Sequence, residues 1–78
     1  MEGTWITTEQ MLEELINDPN SEHEYRLWLG GPLYSCHLLR YDSQEKRFGD
    51  STNDNHYEMY TEAEFLALFS GELWLRNT

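Results

Sequence analysis

The sequence is short of cations. Its 78 residues hold five Lys and Arg against fifteen Asp and Glu, a net charge of −10 at pH 7. That field disfavours direct contact with DNA, RNA or anionic lipid, and favours cationic partners, including proteins that grip nucleic acid. Cysteine is nearly missing as well. Cys36 stands alone, so no intramolecular disulfide can form. A secreted domain of this size usually needs such staples, and the expected location is therefore a reducing cytoplasm. No apolar run approaches the ~20 residues that span a bilayer. Residues 1–10, MEGTWITTEQ, lack the basic and apolar segments of a signal peptide, so no membrane association is expected. No Gly-rich phosphate loop is written either. Gly30 and Gly31 stand beside Pro32, which marks a turn.

Aromatics are plentiful. Three Trp, five Tyr and three Phe can each bury roughly 150–250 Å². A disordered acidic tail lacks such residues, so residues 1–78 read as one folded domain. A chain this short buries only about 60% of the surface its unfolded state exposes, and its stability should be modest.

Two helix starts are legible. Thr7 is an N-cap with Gln10 three residues on, a capping box, and Ile6 and Met11 can form the hydrophobic staple. Met11, Leu12, Leu15 and Ile16 then make an apolar face, and Asn17, Asp18 and Pro19 end the helix. Thr61 and Glu64 repeat the box, with Tyr60 and Phe65 as staple, Phe65, Leu66, Leu68 and Phe69 as buried face, and Gly71 at the end. Between and after the helices the period is two. Residues 23–29, 33–41, 47–50, 56–60 and 72–76 read as strand candidates separated by polar or glycine turns. The expected fold is α+β: an antiparallel meander of three to five strands with two capped helices packed on one face.

Residues 53–65, NDNHYEMYTEAEF, concentrate acids and a histidine. Asp50, Asp54, His56 and Glu58 suggest a metal site, but an EF-hand counted from Asp50 would need Gly and Glu where Asn55 and Thr61 stand. Cys36 and His37 are adjacent, and adjacent strand side chains point to opposite faces. His23, His37 and His56 can meet only through the fold. Cys36 lies in an apolar strand of an acidic protein, which disfavours a reactive thiolate, and is expected to be a small buried residue. No catalytic, cofactor-binding or metal-binding residue is expected, and the chain reads as a non-enzyme that needs no cofactor.

Trp5, Tyr25, Phe48, Phe65 and Phe69 are expected in the core, and Tyr57 and Met59 face it. Trp28 alternates away from Leu27 and Leu29, which makes it, with Tyr34, a candidate partner-binding anchor. Setting the helix-cap acids aside leaves Asp42, Glu45, Asp50, Asp54 and Glu58, with Asp54 and Glu58 read as exposed charge. Residues two apart on a strand are about 6.6 Å apart on one face, a repeat comparable to that of nucleic-acid phosphates. In size, acidity and aromatic content the chain resembles the small inhibitors that phages and mobile elements direct against host defence nucleases. That resemblance lies in composition and covers no particular residues. It implies an acidic nucleic-acid mimic occupying the basic channel of a nucleic-acid-binding defence protein, such as a CRISPR effector or a restriction enzyme. The alternative is a cytosolic protein–protein interaction module that binds through an aromatic sheet face or edge. An uncovered edge strand would also allow pairing into a homodimer.

Overall fold

A computed structural model describes residues 4–51 and 57–76. β1 (Trp5–Thr7) leads directly into α1 (Thr8–Ile16). β2 (His23–Gly30), β3 (Leu33–Asp42), β4 (Arg47–Ser51) and β5 (Glu58–Tyr60) follow, then α2 (Glu62–Leu68) and β6 (Leu73–Arg76). Among the described residues the strands form one six-stranded antiparallel sheet in the order β1-β6-β2-β3-β4-β5. The class is α+β, as expected, but the sheet exceeds the expected three to five strands. β2 to β5 make the meander. β6 instead enters between β1 and β2, antiparallel to both. β1 has three residues, too few to show a period of two, and its last residue is also the cap of α1.

Both capping boxes are present. The Thr7 side chain accepts from the Gln10 backbone and the Gln10 side chain accepts from the Thr7 backbone; Thr61 and Glu64 do the same. Each threonine satisfies an amide that would otherwise lose its partner at a helix start. Thr7→Ala or Thr61→Ala should each cost about 1 kcal/mol, read as a lower urea midpoint with an unchanged slope.

The register places Ile6, Trp74 and Leu27 in one cross-strand row, Tyr25 beside His37, and Tyr41, Phe48 and Tyr60 in another row. Ile6, Tyr25, Leu27, Leu39, Phe48 and Trp74 of the sheet share a single buried cluster with Met11, Leu12 and Leu15 of α1 and Phe65 of α2. Two polar ties cross it. The Trp74 indole donates to the Thr8 hydroxyl at 2.9 Å, and that hydroxyl donates to the Phe69 carbonyl at 2.8 Å.

Several expected core residues lie elsewhere. Trp5 is exposed, and so are Ile16 and Leu68 at the ends of their helices. Tyr57 and Met59 do not face the core. Met59 pairs with Gly49, which pairs with Arg40, and the Tyr57 ring lies 5.1 Å beneath the Arg40 guanidinium with its hydroxyl donating to Glu22. Gly49 permits this, because a Cβ there would meet Tyr57 Cδ1 at 2.9 Å. Tyr60 takes the core position instead, its ring 6.0 Å from Phe65. The alternation along residues 57–60 is legible; which face is inside is fixed by Phe48 on the neighbouring strand.

Glu14 ties α1 to the sheet. It accepts from Tyr25 Oη at 2.8 Å and from Arg76 Nε at 3.1 Å. The hydrogen bond from Arg76 holds the Glu14 carboxyl below the usual glutamate range, while burial pushes the Tyr25 phenol up. A depressed carboxylate contributes stability that is present above its unfolded value and is lost as pH falls through the folded one. Glu14→Gln should therefore lower the melting temperature at pH 7, and the difference from the native chain should shrink as pH falls below about 4. A difference independent of pH would contradict this role.

Candidate protein-binding surface

The β2–β3 hairpin runs past its neighbours. β6 pairs with β2 at Tyr25, Arg26 and Leu27, and β4 pairs with β3 from Leu38 to Asp42. Among the described residues the hairpin continues beyond these pairs as two strands alone, to a turn at Gly30 and Gly31. Both glycines have positive φ, 117° and 55°, a conformation that costs other residues. A register shift between Trp28 and Gly30 marks a bulge just before the turn.

The tip is apolar all round. Trp28 and Tyr34 are direct cross-strand partners. Leu33 pairs with Gly30 at the end of the hairpin, and Leu29 falls at the register shift between Trp28 and Gly30. Relative exposures are 42% for Trp28, 58% for Leu29, 64% for Leu33 and 42% for Tyr34. The two aromatics are held in place: Trp28 Nε1 donates to the Gly31 carbonyl at 2.9 Å, and the Arg26 guanidinium lies 5.0 Å over the Tyr34 ring. An apolar cleft of about 390 Å³ adjoins the tip, lined by Trp5, Trp28, Gly31 and Leu73.

The sequence-assigned acids do not form one row. Asp42 and Glu45 sit at the β3–β4 turn, where Asp42 Oδ1 accepts from the Gln44 and Glu45 amides at 2.9 and 3.1 Å. Asp42 is thus a turn-forming residue. Asp50 is buried, not presented to solvent. It lies opposite Leu39, on the core side of β4, and Oδ1 meets His37 Nδ1 at 2.8 Å. Glu58 is exposed on β5, across from Asp50. Asp54 and His56 lie outside the described residues. β3 separates the acidic turn from the aromatic tip by roughly 30 Å at strand rise, most of the molecule's 36 Å length. Among the described residues singled out as partner-binding, Trp28 and Tyr34 are brought together at the exposed tip and Asp42 and Glu45 at the opposite turn, while Asp50 is buried and Glu58 stands on β5.

Cys36 is exposed, contrary to the expected buried position. It lies opposite Arg26 on the face away from His37. Among the described residues no group of three His, Cys, Asp or Glu side chains could hold a metal ion, and no helix is long and apolar enough to cross a membrane.

Sequence reading missed one constellation. His37 Nε2 lies 2.9 Å from Ser35 Oγ while Nδ1 meets Asp50, giving a continuous Ser35–His37–Asp50 chain. Ser35 and His37 are two apart on one strand, so their shared face was legible. The third member comes from β4 through a register that the sequence does not print.

Compared with protein-family models, curated proteins and solved structures, the chain matches none of them.

Proposed function

We propose that this chain is a binding protein that docks the tip of its β2–β3 hairpin into an apolar cleft on a partner protein of basic surface. The exposure of Trp28, Leu29, Leu33 and Tyr34 at one end of the molecule carries this reading. A short chain has little apolar material to spare, and a hairpin turn can be made from polar residues. Four large apolar side chains kept out of the core fit an interface. The bond from Trp28 to Gly31 and the stacking of Arg26 on Tyr34 reduce the rotamer entropy lost on docking.

Charge has a separate role in this scheme. A net charge of −10 speeds encounter with a cationic partner, and salt weakens that steering within a Debye length of about 10 Å at 0.1 M. A nucleic-acid-binding enzyme has a surface of the required sign, and a chain seated in its channel would inhibit it by occlusion. With Asp50 turned inward, the acids support attraction to such a surface better than a phosphate-like row. The proposed setting is a reducing cytoplasm, where an exposed Cys36 stays a thiol.

Site-specific photocrosslinking tests the docking end. A benzophenone side chain at Leu33 should trap a partner from cell lysate, and the same group at Glu45 should trap far less of it. Equal trapping at both positions, or trapping from Glu45 alone, would contradict docking through the tip.

A further inference from the structure

We infer that Ser35 is an activated nucleophile, a site that accepts a phosphonyl or acyl group from an activated ester. The inference stands apart from hairpin docking and rests on the Ser35–His37–Asp50 chain. Its two links are 2.9 Å and 2.8 Å, and they use the two different ring nitrogens of His37. In the neutral imidazole, a proton on Nδ1 donates to Asp50 Oδ1 and leaves Nε2 to accept from the Ser35 hydroxyl. This is the arrangement in which an imidazole serves as general base to a serine, with a carboxylate fixing its tautomer and steadying the imidazolium that forms.

Packing holds the arrangement still. The His37 ring stands edge-on to Trp74 at 5.3 Å and to Phe69 at 6.4 Å. All three residues lie on paired strands, not loops, which favours precise geometry. Exposure is graded along the chain: Asp50 and His37 are buried, while Ser35 is half-buried. Ser35 is thus the member of the three most open to solvent, while the base and its carboxylate partner are buried. Cys36, its neighbour in sequence, points to the other face and has no part in the site.

The balanced step is as follows. Ser35 Oγ attacks the phosphorus of an alkyl fluorophosphonate; the Oγ–P bond forms and the P–F bond breaks. Fluoride leaves with the bonding electrons, and the serine proton passes to His37 Nε2. Asp50 acts as a positioning residue through Nδ1 and does not touch the reagent.

The test is labelling of the intact chain with a fluorophosphonate, followed by intact mass and peptide mapping. One adduct is expected, on Ser35, forming on the order of 100-fold faster in the folded chain than in the same chain in urea. Ser35→Ala leaves the His37–Asp50 pair in place and should abolish that adduct. Asp50→Asn, in material whose far-ultraviolet spectrum matches the native chain, should slow labelling and change its pH profile; a merely structural Asp50 would leave that profile alone. A folded-to-unfolded rate ratio below about 10, or an adduct that persists in Ser35→Ala, would overturn the inference. Both decisive readouts need only the native chain and a variant that removes one half-buried hydroxyl.

Discussion

Trp74→Ala should lower the unfolding free energy by about 3–5 kcal/mol, the usual range for removing a fully buried large aromatic. Trp74 has no exposed surface, and it sits where the sheet meets both helices. Its ring lies 5.3 Å from His37, 5.2 Å from Phe69 and 6.2 Å from Phe65. It also anchors a polar relay, since its indole N–H bonds Thr8, which bonds the Phe69 carbonyl. Removing the ring opens a cavity against Phe65 and Phe69 and takes away the indole donor to Thr8. Domains have about 5–15 kcal/mol in total, and a chain of this length belongs near the low end. Much of the population should then be unfolded at 37 °C. Trp74→Phe keeps most of the volume and removes only the indole's bond to Thr8, whose hydroxyl still donates to Phe69, so a smaller loss of about 1–3 kcal/mol is expected. Urea titrations of the three proteins give this order directly. A loss below about 1 kcal/mol for Trp74→Ala would mean that the core does not centre on β6.

Trp28→Ala with Leu33→Ala should do the opposite: leave the fold and remove binding. Both side chains extend past the core, so the stability change should be within about 1 kcal/mol. A buried interface anchor is typically worth about 2 kcal/mol or more, roughly 30-fold in dissociation constant. The pair together should weaken a partner by two to three orders of magnitude, with the loss in the dissociation rate. Glu45→Lys, at the far end of β3 and outside the carboxylate bonds that form the turn, should slow association and flatten its salt dependence while leaving dissociation near its native rate. The two variants thus separate holding from steering.

The helices were readable because capping is local. Thr7 with Gln10 and Thr61 with Glu64 are complete statements within four residues, and the structure contains both boxes. The strand alternation of residues 23–29 and 33–41 was equally plain, since Tyr25, Leu27 and Leu39 are buried while Trp28 and Tyr34 are not. What could not be read was long-range. β6 comes from the end of the chain to pair with β1 and β2, and no local pattern encodes that. Residue type places Trp5 and Cys36 inward, yet both lie exposed. Residue type makes Asp50 surface charge, as acids usually are. Its burial depends on His37, thirteen positions away across a strand pair, and the two together make a hydrogen-bonded interior group. The tip of the hairpin was half legible: Trp28 and Tyr34 were named from alternation, but Leu29 and Leu33 look like core until the hairpin is seen to outrun the strands beside it.

The measurement that bears most directly on the docking proposal is capture from cell lysate by the immobilised native chain beside its Trp28→Ala, Leu33→Ala variant, at ~0.1 M and ~0.5 M salt. The account predicts a basic protein held by the native chain at low salt, held less at high salt, and lost by the tip variant at both. Equal retention by the tip variant, with loss only on reversing Glu45, would contradict it and place binding in the acids.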